Sequence, residues 1–112
     1  MDAFQALADP TRREIVALLA RGERSAGDIF ARFDMADPSV SRHLKVLRES
    51  GLIAFRQEAQ SRFYRLDPAV LDETRQWMQA QLDACTARFD RLGTHLDRMK
   101  KAEDRRAKRP KG

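Results

Sequence analysis

Between Asp37 and Ile53 the chain places short hydroxyls and cations at spacings that suit a nucleic-acid groove. Val40, Leu44 and Leu47 recur at i, i+4 and i+7, which gathers them on one apolar stripe of a helix. Ser39, Arg42, Lys45 and Val46 then point broadly away from the core. An ordinary surface helix also carries Arg and Lys on its wet side, so the preceding segment matters. SAGDIFARF, residues 25–33, predicts a short helix with Ile29, Phe30 and Phe33 apolar at helical spacing, and only residues 34–36 separate it from Asp37. Two short helices across a tight turn make a helix-turn-helix.

Neighbouring elements must hold that pair in place. Asp37 can cap the second helix with Pro38 at its first position, and Gly51 can take the left-handed conformation that ends it. Upstream, Phe4, Ala6 and Leu7 predict a short first helix that stops near Asp9, before a proline. Pro10 opens another helix, with Ile15, Val16, Leu18 and Leu19 on its buried side and Gly22 at its end. Downstream, LIAFRQEAQSRFYRL predicts a hairpin with a polar tip at residues 58–61. Two strands alone are marginal, so they must pack on the helices.

The last helix is expected to start at Pro68 and run to about Asp104. Met78, Leu82, Cys85, Phe89, Leu92, Leu96 and Met99 are separated alternately by four and three residues, a heptad seam. A helix of about 37 residues is ~55 Å long, more than a domain of about 67 residues can cover on one side. Part of the seam can pack on the chain's own first helix, and a second copy of the chain is the economical cover for the rest. The expected fold is mainly α with a small β-hairpin: a winged helix-turn-helix over residues 1–67 and a C-terminal dimerisation helix over 68–104. A basic tail, residues 105–112, lacks apolar periodicity and is expected to be disordered.

The 112 residues carry a formal charge of +5. From Arg98 onward eight Lys or Arg face two acids, so residues 1–97 sum to −1 and the basicity lies at the end of the chain. Within the body, residues 37–65 hold six Arg or Lys against three acids, a local excess expected of a nucleic-acid face. One cysteine excludes an internal disulfide framework. The first residues show no secretory pattern and no segment is long and apolar enough for a bilayer, so a cytoplasmic protein without a membrane partner is expected. No nucleophile with a neighbouring base, phosphate-cradling glycine loop or metal-ligand cluster supports an enzyme.

With LADPTRREIVALLARGERSAGDIFARF, DPSVSRHLKVLRESGLIAFR and FYRL, the chain resembles the ArsR/SmtB family of bacterial winged-helix repressors up to about Leu66. It looks most like the branch with a short first helix and no metal site, typified by autorepressor-like members. The resemblance implies a two-fold dimer held by terminal helices, with Phe4, Leu7, Met78, Leu82, Cys85, Phe89, Leu92 and Leu96 at its interface, bound to double-stranded operator DNA. By motif position it implies DNA contacts from Ser39, Ser41, Arg42, His43 and Lys45, with Arg56 and Arg62 flanking the wing. Arg42 can pair with guanine O6 and N7, and the serines can donate to phosphates or base edges. His43 lies beside the Val40 and Leu44 stripe, which leaves both a half-buried histidine and a base contact open.

Two departures stand out. Relatives often carry a glycine followed by basic residues at the wing tip, whereas this tip is Glu58, Ala59, Gln60, Ser61. Metal-responsive relatives place paired cysteines where this chain has Ser25, Ala26, Gly27 and Asp28, or paired histidines and carboxylates on the last helix. Zinc prefers about four nitrogen or sulfur ligands, and His43, His95 and Cys85 do not make such a set. No cofactor or metal is therefore expected, and any small-molecule effector is unknown. Two alternatives remain: a thiol-redox-responsive repressor acting through Cys85, and a winged-helix protein-interaction module.

Overall fold

The structure, a computed structural model, describes residues 2–108, with side chains to residue 104. In chain order its elements are α1 (Ala3–Leu7), α2 (Pro10–Leu19), β1 (Arg24–Ser25), α3 (Ala26–Arg32), α4 (Asp37–Glu49), β2 (Ile53–Glu58), β3 (Ser61–Leu66) and α5 (Pro68–Lys108). The chain divides into two units, Met1–Arg75 and Gln76–Gly112.

The first unit is a winged helix-turn-helix. Its opening is held by side chains that satisfy helix ends. Asp2 and Gln5 form a reciprocal capping box on α1, and Asp9 Oδ1 accepts from the Arg12 amide at 3.1 Å to cap α2. Arg12 and Arg13 reach back to α1: Arg12 Nε donates to Ala6 O at 2.6 Å and Arg13 Nη1 to Leu7 O at 2.8 Å. A five-residue helix is too short to persist alone, and these donors supply partners for its last carbonyls. Ser25 caps α3 through the Asp28 amide.

The cap of α4 differs from expectation. The residue at the cap is Ala36, with no side-chain bond, and Asp37 is already helical. The amides that an Asp37 cap would have engaged, Ser39 and Val40, both donate to Ala36 O, at 2.9 and 3.2 Å. Gly51 ends the helix at φ 83° as expected, and the Leu52 amide donates to Leu47 O across it.

The hairpin is the larger part of a three-stranded antiparallel sheet in the order β1-β3-β2. The two-residue β1 was not anticipated, because so short a strand has no period to detect. Ile15, Ile29, Val40, Leu44, Leu47, Leu52 and Ile53 are the fully buried centre of the core, with Tyr64 closing it from β3. The hairpin turns through Ala59 and Gln60, and Ala59 takes φ 55°, a left-handed conformation that suits glycine.

The last helix starts at Pro68 as expected and spans 41 residues. It continues past Asp104 to Lys108, so the first four residues of the expected tail are helical and the last four lie outside the described residues. No helix among the described residues is long and apolar enough to cross a membrane.

Candidate nucleic-acid interface

With Val40, Leu44 and Leu47 in the core, α4 presents Ser41, Arg42 and Lys45 exposed and Ser39 half-buried. Arg42 Nη2 donates to Ser39 Oγ at 3.1 Å, so the guanidinium lies back toward the start of the helix. Lys45 Nζ lies 4.0 Å from Glu49 Oε1, an exposed pair that constrains it little. Val46, expected on the outward face, is instead partly buried against the core. The helix packs on both α2 and β2, so its covered arc is wider than one stripe.

His43 sits between those sides. Arg12 Nη1 donates to its Nδ1 at 3.3 Å, and Asp9 Oδ1 lies 4.0 Å from the same nitrogen. Guanidinium can only donate, so Nδ1 accepts and the ring proton belongs on Nε2. Arg12 also donates to Gln5 O at 3.1 Å, which joins α1, α2 and α4 through one side chain. The Asp9 carboxyl is held below its ordinary range, first by the Arg12 amide bond, against desolvation, with the Arg12 charge adding to it.

Strand alternation separates the two wing arginines. In the β2/β3 register Phe55 pairs with Tyr64 and Gln57 with Arg62, while Arg56 pairs with Phe63. Arg62 therefore shares a face with Phe55 and the buried Tyr64, and Arg56 lies on the other face. There Arg56 is committed. Its Nη2 donates to Glu23 Oε1 at 2.8 Å, its Nε reaches both Glu23 oxygens, and its Nη1 donates to Glu58 Oε2 at 2.6 Å. These bonds raise the guanidinium pKa further and hold the Glu23 carboxyl below its ordinary range. The guanidinium also lies 4.6 Å from the Phe63 ring centroid.

Arg62 has a different neighbourhood. Its guanidinium carbon lies 4.6 Å from the centroid of Phe55, and that of Arg48, in the last turn of α4, lies 5.1 Å from the same centroid. Phe55 leans on Tyr64, centroids 5.8 Å apart at 45°. Sequence reasoning counted the charge of Arg48 but gave the residue no role. The signal was its place one turn before Gly51, where α4 meets the strand that carries Phe55.

In the second unit, Met78, Leu82, Phe89, Leu92, Leu96 and Met99 are each 50–65% exposed, and Cys85 is exposed on the same stripe. Trp77, outside the expected seam, is 57% exposed. In the first unit Phe4 is 43% exposed, whereas Leu7 is half-buried against the core. Among the described residues no three of His, Cys, Asp and Glu converge as metal ligands would.

A sequence profile described as "Bacterial regulatory protein, arsR family" matches residues 9–54, from the Asp9 cap through α4 into β2. The transcriptional repressor SdpR of Bacillus subtilis is 39% identical over 77 residues, covering 69% of this chain and 86% of that protein. The chain belongs to the arsR family. An HTH-type transcriptional regulator of Mycobacterium tuberculosis is 42% identical over 83 residues, covering 70% of this chain and 78% of that protein. A solved structure titled as a possible transcriptional regulator for arsenical resistance superposes with a TM-score of 0.67 at 36% identity, covering 78% of this chain and 95% of that one. This member of the arsR family is a DNA-binding transcriptional repressor and not an enzyme.

Proposed function

We propose that this repressor acts in the cytoplasm as a homodimer on a two-fold related operator, with α4 of each protomer in the major groove and no metal-sensing site. The observation that carries the reading is the stripe of large apolar side chains along α5, each at least half exposed in the single chain. Fully burying one such side chain contributes about 1.5–3 kcal/mol, so a heptad seam of this length favours a partner helix strongly. A two-fold dimer in turn predicts half-sites one helical turn, or ~34 Å, apart. Ser39, Ser41, Arg42 and Lys45 suit base-edge and phosphate contacts, and Arg62 suits a phosphate. His43 enters this reading with its Nε2–H as the donor left by the Arg12 bond. The proposed absence of metal sensing is supported by the donor set, since α3 opens with Ser25, Ala26, Gly27 and Asp28 and carries no thiol.

Light scattering at micromolar concentration tests the assembly. The wild-type chain should have the mass of a dimer, and Phe89→Asp, which puts a charge into the seam, should have that of a monomer. A monomeric wild type would overturn the reading. Selection of bound fragments from the source genome, followed by footprinting, should then show protection in two symmetric halves.

A further inference from the structure

We propose that Phe55 is a positioning residue for DNA-backbone contact, its ring holding the guanidinium groups of Arg48 and Arg62 as one paired site for phosphodiester oxygens. The proposal rests on the operator-binding reading above and names residues through which the wing and α4 would grip one strand.

Three observations converge on it. Both guanidinium carbons lie within the ~6 Å at which a cation is attracted to an aromatic face, and both are measured to one ring. The two charges are therefore no more than about 10 Å apart, close enough for one phosphate or its neighbour, since phosphates on a strand advance ~3.4 Å along the axis. Second, neither arginine has a carboxylate within ion-pair distance among the described residues. Arg56, on the opposite face of the hairpin, is matched by Glu23 and Glu58. Two unmatched cations held around one ring repel each other, and an anion placed between them relieves that repulsion. Third, the platform is fixed from beneath: Phe55 is half-buried and leans on Tyr64, which is 6% exposed.

Guanidinium forks match phosphate oxygens in geometry as well as charge, which selects a phosphodiester over a small halide or a neutral ligand. Such contacts position a duplex without reading its bases. The end of α4 and the wing then act together as an electrostatic clamp, and Phe55 acts on DNA only through the two arginines.

The test is fluorescence anisotropy with a non-operator duplex, titrated over a range of salt concentrations, with melting curves for every variant. Arg48→Gln and Arg62→Gln should each weaken binding and flatten the log–log salt dependence by ~0.9 per lost phosphate contact. Phe55→Leu should weaken binding about three- to tenfold, and Phe55→Tyr, which keeps the aromatic face, should bind more tightly than Phe55→Leu. In a background already carrying both Gln substitutions, Phe55→Leu should have no further effect on affinity. An equal loss in that background would assign Phe55 a purely structural role and overturn the proposal. Should Phe55→Leu fail to fold, unchanged salt slopes in both arginine variants would overturn it independently. Wild-type binding with unaffected variants removes this inference alone, whereas a wild type that binds no duplex at low salt removes the operator reading and this inference with it.

Discussion

Arg42 and Arg56 show how far one cation differs from another in the same domain. Arg42 is exposed on α4 with a single bond to Ser39, so its fork remains available for a guanine edge. Arg42→Ala should cost about 1–3 kcal/mol of operator affinity and relax preference at one base pair, as read by binding to operators substituted position by position. Arg56 is engaged by two carboxylates, and its effect should appear in stability. Glu23 is held below its ordinary range first by the Arg56 hydrogen bond, against desolvation, so the folded state favours its charged form. Its contribution is complete above the ordinary carboxylate range and is lost as pH falls through that range to the depressed folded-state value. Thermal unfolding followed against pH should therefore fall less steeply in acid for Glu23→Gln than for the wild type. The resemblance set Arg56 and Arg62 together beside the wing, and it is the hairpin register that separates them onto opposite faces. That Glu23 takes Arg56 was not legible, because the two lie 33 residues apart and meet beside a strand of only two residues.

Each helix of the winged domain is short, and its ends do much to keep it formed. The starts of α2, α3 and α5 were readable because Pro10, Ser25 and Pro68 stand where chemistry favours a helix start. The start of α4 was misplaced by one residue, because a carboxylate before proline resembles a cap whether or not the amides it needs are free. At the other end, Gly51 has φ 83°, and a Cβ built there would lie 3.3 Å from Val70 Cγ2. Strain and crowding both oppose a side chain, so Gly51→Ala should destabilise the domain by about 1–2 kcal/mol or more, measured by urea unfolding. The wing tip gives the opposite expectation. Ala59 occupies a left-handed position without being glycine, so Ala59→Gly should leave stability unchanged or raise it.

Across the whole chain the donor set and the apolar stripe lead to separate tests. Operator binding should be the same with a strong chelator and with added zinc, because His43 is held by Arg12 and no three ligands converge among the described residues. Zinc-dependent release measured by anisotropy would sink that expectation. Cys85→Ser should bind equally well in reducing and mildly oxidising buffer, compared at concentrations where both proteins are dimeric; oxidant-dependent release lost in this variant would favour a redox switch instead. The heptad spacing made the stripe legible in the sequence, but spacing alone left open whether the chain's own helices cover it. The structure leaves its large side chains half exposed or more in the single chain, and that has a consequence for dosage. If folding and pairing are linked through this seam, mass action makes the melting temperature rise with protein concentration. Operator occupancy would likewise grow with the square of the monomer concentration wherever monomers predominate, so a twofold change in synthesis would be felt at the promoter as about a fourfold change in the species that binds.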